Sequence, residues 1–349
     1  MFKTQQAFNN SFFGAYAYEP IILRHKNHLL VRMNDLIDWS FVETELAGCY
    51  SNKGQHAYNP IILFKLHIIQ NLYNLSERTV CEQTDLNILY RYFVGLGMSE
   101  DVPHWTDLGK FRERIGDELF EQLFYRVLAE AEKLGLKISN KRNVDSTDVK
   151  ANVDISRCRK DKQDKDDKTW IDRNSTDPDA RCGKKGNKPN SKRWYGYKSH
   201  INQDPETELI TAIQTTDASQ TDESMLIPLI EQEQKFRGKE SVRKQGGDKA
   251  YVGLTEDLQK REVLDYTIPK DNMKKVKEQK QKNRHYLHLK YQRHKIERKF
   301  AESKRYHHLD KARYSGKWRV HIQSLLIYLT VNLKRITNLL MPIPMPIPV

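Results

Sequence analysis

Cysteine is scarce in this chain and suits neither cross-linking nor zinc. The four residues (Cys49, Cys81, Cys158 and Cys182) form no CxxC pair and no even framework, which fits a reducing compartment and argues against structural zinc. Long hydrophobic runs are missing too. The greasiest stretch, "IQSLLIYLTVNL" at 322–333, is interrupted by Gln323, Ser324 and Asn332, so it is too short for a bilayer span and reads as a core helix. The start, "MFKTQQAFNN", has no apolar core of the kind that marks a secretory signal, and a cytoplasmic protein is expected. "GKKGNK" at 183–188 lacks the glycine spacing and the Lys-Ser/Thr end of a phosphate loop.

Cationic charge is abundant. The chain of 349 residues carries a net charge of +13, a length that suggests about two domains and a charge that favours a polyanionic partner. The excess is not spread evenly. Residues 1–140 hold 14 Lys+Arg against 17 Asp+Glu, and residues 201–269 hold 8 against 14. Residues 156–200 hold 14 against 7, and residues 270–319 hold 18 against 5. Two basic blocks therefore bracket an acidic segment, as a phosphate-binding track would.

The first 135 residues read as an all-helical domain. In "PIILFKLHIIQNLYNL" apolar positions recur at helical spacing behind Pro60; Ser76 is placed to cap "ERTVCEQT", and Gly95 and Gly97 close the next segment. Helices are expected from about Thr106 and over 117–135. The pair 61–75 and 77–84 fits a DNA-end-binding helix-turn-helix and equally an ordinary helical pair. From 136 to 340 the pattern changes to a mixed α/β domain. Strands are expected at "LKISNKRNVDST", 193–203 and 208–218, then a helix over 222–236, a strand ending at "GGDKAYVG", a helix, a strand "DYTIP", and a long basic helix over about 284–306. Three successive strands imply an antiparallel meander, and the later alternation implies parallel additions. The polar stretch 155–192 reads as a basic mobile insertion, and 341–349 as a Pro-rich extended tail.

Three acids within this second domain draw the chemistry together. Asp145, in "NVDSTDVKA", follows a strand-like run; by itself it is an ordinary turn aspartate. Asp248, in "GGDKAY", follows another predicted strand, with glycines that permit a sharp turn. Glu297 lies on the long helix, and Arg293 and Lys304 both fall within roughly 40° of it around the axis. Alone, that pattern is a salt-bridge ladder. Two strand-end aspartates and a helical glutamate together can hold two divalent ions with hard oxygen ligands, the arrangement used for phosphoryl transfer.

On these residues the sequence resembles the DDE transposases of bacterial insertion sequences, in particular the group named after insertion sequence five. "NVDSTDVKA" is similar to the motif of the first acid, "GDKAYVG" to that of the second, and "RHKIERKFAESK" to that of the third, with Arg, Glu and Lys at the family's spacing. "PIILFKLHIIQNLYNLSERTV" and "HWTDLGKFRERIG" resemble its helical N-terminal domain, "DPDARCGKKGNK" and "WYGYKSHINQD" its middle strands, and "ARYSGKWRVHIQSLLIYLTVNLKRI" its closing helix. The likeness runs over about residues 55–340. Seven residues before the glutamate, where the family usually has tyrosine, this chain has Lys290, with Tyr291 beside it.

The resemblance implies a ribonuclease-H-like catalytic domain with a mixed sheet and flanking helices, preceded by the all-α domain. It implies metal-dependent cutting at the ends of an insertion sequence and transfer of the 3′ hydroxyl into target DNA. Asp145, Asp248 and Glu297 would ligate Mg²⁺, with Mn²⁺ as a substitute, while Arg293 and Lys304 would hold phosphates. Lys198 and His200 are further DNA-contact candidates. The implied partner is double-stranded DNA, met by a homodimer or higher oligomer in the cytoplasm, at the nucleoid when bound. The rivals are a metal-dependent nuclease that never joins DNA and an inactive DNA-binding relic.

Overall fold

The structure is a computed structural model, which describes residues 20–50, 57–154, 176–185 and 193–343. The chain divides into two compact units, Met1–Leu136 with Leu326–Val349, and Lys137–Leu325.

The first unit is helical: α1 (Leu29–Leu36), α2 (Ser40–Leu46), α3 (Pro60–Leu72), α4 (Glu77–Leu86), α5 (Ile88–Val94) and α6 (Trp105–Lys133). Its helix ends follow local chemistry. The Asn59 side chain accepts from the Ile61 N–H ahead of Pro60, and Ser76 Oγ accepts from the Thr79 N–H at 3.0 Å. Gly95 closes α5 in the left-handed region at φ 83°. The two helices expected after residue 105 join across a kink at Gly116, whose φ of 69° and ψ of 178° are not helical. Every residue of α3 is buried, Lys65 and His67 included. Lys65 is accommodated by Asn34 at 2.7 Å and by the Trp39 ring, and burial lowers its pKa to about 7. The last helix, α12 (Lys317–Leu340), contains the greasy stretch. From Leu326 onward it belongs to this helical unit, where Ile327, Leu329, Val331 and Leu333 are buried. Arg32 fastens its end through Asn338 at 2.9 Å. No helix among the described residues is long and apolar enough to cross a membrane.

The second unit is built on a mixed sheet of β1 (Lys141–Lys150), β2 (Arg181–Lys184), β3 (Arg193–Gln203), β4 (Ile210–Asp217), β5 (Lys244–Gly246) and β6 (Leu264–Asp265). β1, β3 and β4 pair antiparallel in succession, and β5 and β6 add in parallel on the other side of β1, as the order of elements predicts. This is the curled mixed sheet of a ribonuclease-H-like domain. Val144 and Ala212 of the sheet pack against Leu226, Leu229 and Ile230 of α7 (Leu226–Arg237) and Leu258 of α8 (Thr255–Lys260). Three further helices follow, α9 (Lys274–Gln281), α10 (Arg284–Gln292) and α11 (His294–His307).

The structure departs from the sequence expectation at four places. "LKIS" is not a strand; β1 begins at Lys141 and carries Asp145 in its middle, because pairing with β3 continues from Asn143 to Lys150. The predicted strand at "DYTIP" shrinks to the two residues of β6. The single long basic helix is two, α10 and α11, meeting at Arg293 in a tight turn that bonds the Ile296 N–H to the Arg293 carbonyl. Part of the expected mobile insertion is ordered core: Asp177 is fully buried and accepts from the Tyr197 hydroxyl at 2.6 Å, and β2 pairs with β3. Residues 155–175 and 186–192 of that insertion, and 344–349 of the tail, lie outside the described residues.

Candidate active site

Asp145 lies on the stretch of β1 that meets α10 and α11. The parallel ladder with β5 ends at Asn143, and backbone pairing on that edge of β1 resumes only at Lys150, which bridges to Lys311. α10 is held there by Asn143, whose Nδ2 donates to the Leu289 carbonyl at 3.0 Å. α11 is held by the ion pair of Lys304 with Asp148 of β1 at 2.8 Å. Between these anchors lies Arg293. Its guanidinium donates to Asp145 Oδ2 at 3.3 Å and to Glu297 Oε1 at 2.7 Å. Two of the three predicted acids thus share one cation.

Asp248 follows β5 and caps the short turn Lys249–Tyr251, its Oδ1 accepting from the Ala250 N–H at 2.8 Å. The glycines before it serve packing, not a turn, since neither has a positive φ. A Cβ on Gly247 would lie 2.8 Å from Val144, and one on Gly246 would lie 2.5 Å from the Asn143 side chain. Only glycine lets this segment close on β1. The result is that Asp248 lies near enough to act on Asp145. Burial first, and then the charges of Asp248 and Asp222, push the Asp145 carboxyl up to about 6, against the opposing pull of the Ser146 N–H and Arg293. The buried Tyr251 phenol feels the same three carboxylates and is raised well above its ordinary value, chiefly by burial.

Asp222 is the acid that sequence reasoning missed. In "QTDESM" it reads as a plain helix cap, yet its side chain makes no cap bond. It accepts instead from Ser146 Oγ at 2.8 Å and from Lys198 Nζ at 3.1 Å. No local pattern separates it from the other acids of that segment. Lys198, a proposed DNA contact, is mostly covered and also bonds the Gln220 carbonyl. His200 does not fit the role it was given. It is fully buried in β3 with Nε2 2.9 Å from the Thr216 hydroxyl, and burial lowers its pKa to about 4; no surface of it is left for a duplex. Tyr291 is exposed on α10. Glu302 turns away from the acids to Lys299 at 3.1 Å.

The donor set suits a hard divalent cation: carboxylate oxygens under mutual repulsion, with a guanidinium standing where a positive charge is wanted. Among the described residues no three His, Cys, Asp or Glu side chains are close enough to hold a metal. Asp145 and Glu297 meet at Arg293, and Asp248 is near enough to Asp145 to act on its charge.

Two family models match the chain. Residues 20–114 match the Transposase domain (DUF772), and residues 141–333 match the Transposase DDE domain. No solved structure matches it. Family membership implies a DNA substrate and dependence on a divalent metal. The second match covers more than half of the chain and contains Asp145, Asp248 and Glu297, so the chain belongs to the DDE transposases of insertion sequences, a nucleic-acid-processing enzyme family.

Proposed function

We propose that this transposase cuts DNA at the ends of its own insertion sequence and joins the exposed 3′ hydroxyl to target DNA, with Asp145, Asp248 and Glu297 holding two Mg²⁺ ions. The observation that carries the reading is the Asp145–Arg293–Glu297 bridge, with Asp248 near enough to raise the Asp145 carboxyl. When bound, the metal supplies charge for activating the nucleophile and steadying the leaving oxygen.

The chain's own residues supply the rest. β1 fixes Asp145, and the Ser146 N–H holds one of its oxygens at 2.8 Å, leaving the other directed at Arg293 and the helix. The Lys304–Asp148 pair and the Asn143–Leu289 bond fix Glu297 relative to that oxygen by anchoring α11 and α10. Arg293 is placed to grip the phosphate next to the bond being attacked, as a positioning contact without base readout. Water is the nucleophile for cutting and the DNA hydroxyl for joining, so a single acid centre serves both steps. The insertion sequence five group is the family branch we assign, and a homodimer or higher oligomer on DNA is the working form.

An oligonucleotide joining assay tests this reading. Element-end duplexes with a free 3′ hydroxyl should be covalently joined to a second duplex in the presence of Mg²⁺. Nicking without joining would make the protein a nuclease, and neither activity would make it a DNA-binding relic. Flanking inverted repeats around the gene identify the ends to use.

A further inference from the structure

We propose that Arg293 is an internal cation that competes with the divalent ion for Asp145 and Glu297, so that DNA and metal load the site together. This rests on the reading of those two acids as metal ligands. The geometry of the bridge carries it. One guanidinium spans an acid from the central strand and an acid from α11, using separate nitrogens, 3.3 Å to Asp145 Oδ2 and 2.7 Å to Glu297 Oε1. Asp145 Oδ1 is already engaged by the Ser146 N–H. The oxygens Arg293 takes are therefore the ones a metal needs.

The bridge is built to exchange. Its Asp145 arm is long, and the Arg293 and Glu297 side chains are 27% and 56% exposed, so water and phosphate reach them and the pairing is weak. The fork that matches two carboxylates matches a phosphate equally well. α11 does not depend on the bridge, because Lys304 pins it to Asp148. The arginine can therefore swing out without moving Glu297. When a DNA phosphate takes the guanidinium, the two acids lose their counter-charge and repel until another cation enters. A cation between the acids, in turn, drives the guanidinium toward the phosphate. Such linkage is reciprocal.

The test is Mn²⁺ binding by the full chain, followed by electron paramagnetic resonance, with and without a saturating short duplex of arbitrary sequence. Wild-type protein should bind Mn²⁺ weakly alone and about tenfold more tightly with the duplex, within the usual range of coupled sites. Arg293→Gln alone should bind at least as tightly as the wild-type complex, and the duplex should then add less than about twofold. Arg293→Lys keeps the charge and loses the fork, so its duplex-free affinity should fall between the two. It carries the test if the glutamine variant does not fold. No gain in duplex-free affinity in either variant, or an undiminished duplex effect, overturns the proposal. Asp145→Asn and Glu297→Gln separate it from the reading beneath it. If neither weakens Mn²⁺ binding in the presence of DNA, the metal-ligand assignment fails as well. If both weaken it while the Arg293 variants change nothing, only the competition fails.

Discussion

Two arginines in the catalytic unit each join two carboxylates, and they do opposite things. Arg142 is fully buried. Its Nε and Nη2 donate to Glu233, at 2.9 and 2.5 Å, and its remaining donors meet the Ser139 and Ser241 carbonyls, with Asp204 3.7 Å away. Glu233 is completed by Thr211 at 2.7 Å and Arg237 at 2.6 Å. Arg293 is part-exposed and bridges Asp145 and Glu297 with few supporting bonds. A charged network that is closed and dry holds a fold together, because removing one member strands the others in a low dielectric. A network that is open and incompletely bonded is free to trade partners. The same pairing of side chains is thus sealed in one place and open to exchange in the other.

The sharpest way to break this comparison is through activity. Asp145→Asn, Asp248→Asn or Glu297→Gln should each lower metal-dependent cleavage by on the order of a thousandfold or more, with DNA binding measured by gel shift largely intact. An amide keeps the shape but offers a cation no charge. A variant of Glu233 that lost activity equally while remaining folded would erase the distinction. Binding itself should be dominated by phosphates. With about six contacts, affinity should fall by on the order of a thousandfold between 50 and 200 mM salt, and a flat titration would remove the polyanion from the argument.

Stability gives the reverse ranking. Glu233→Ala should cost about 3–5 kcal/mol in denaturant unfolding, whereas Arg293→Ala should stay within about 1 kcal/mol. Comparable losses would mean that Arg293 is as structural as Arg142. Asp145 should even be a liability. Its folded pKa, raised to about 6 by burial and neighbouring charge, means that it is destabilising once ionised. That penalty begins as pH rises above the unfolded value near 4 and is complete above about 6, at most about 3 kcal/mol. Metal-free Asp145→Asn should therefore melt higher than wild type at pH 8 and no higher near pH 4. The smallest effect belongs to Glu302→Gln, which should retain most cleavage activity, since Glu302 faces Lys299. A large loss there would show that the helix register assigned to Glu297 is wrong.

Two acids of the candidate site were legible as positions in the sequence because local signals mark them, whereas Asp145 was expected at a strand end and lies mid-strand. Asp248 sits behind two glycines, and Glu297 keeps a fixed helical offset from Arg293, an (i, i+4) pair that persists because Arg293 itself stays helical (φ −58°, ψ −32°) where α10 gives way to α11. Asp222 was not legible. It comes to Ser146 and Lys198 only because β4 pairs with β3 and β3 with β1, which brings the loop after β4 over the first acid. His200 was misjudged for a related reason: basic neighbours in sequence say nothing about which way a strand residue faces, and its ring points into the core.

What the sequence determined by itself was therefore local and periodic: the helical first region, most of the order of strands and helices, and the helix starts at Ser76 and Pro60. Those follow from backbone propensity, side-chain spacing and short-range hydrogen bonds, which neighbouring residues dictate. Tertiary structure alone decided that Asp145 lies mid-strand at an opened ladder edge, that α12 contributes its end to the helical unit, and that Arg142 is sealed while Arg293 is not. Those outcomes depend on which surfaces exclude water. That is set by pairings between residues far apart in the chain, where no local signal reaches.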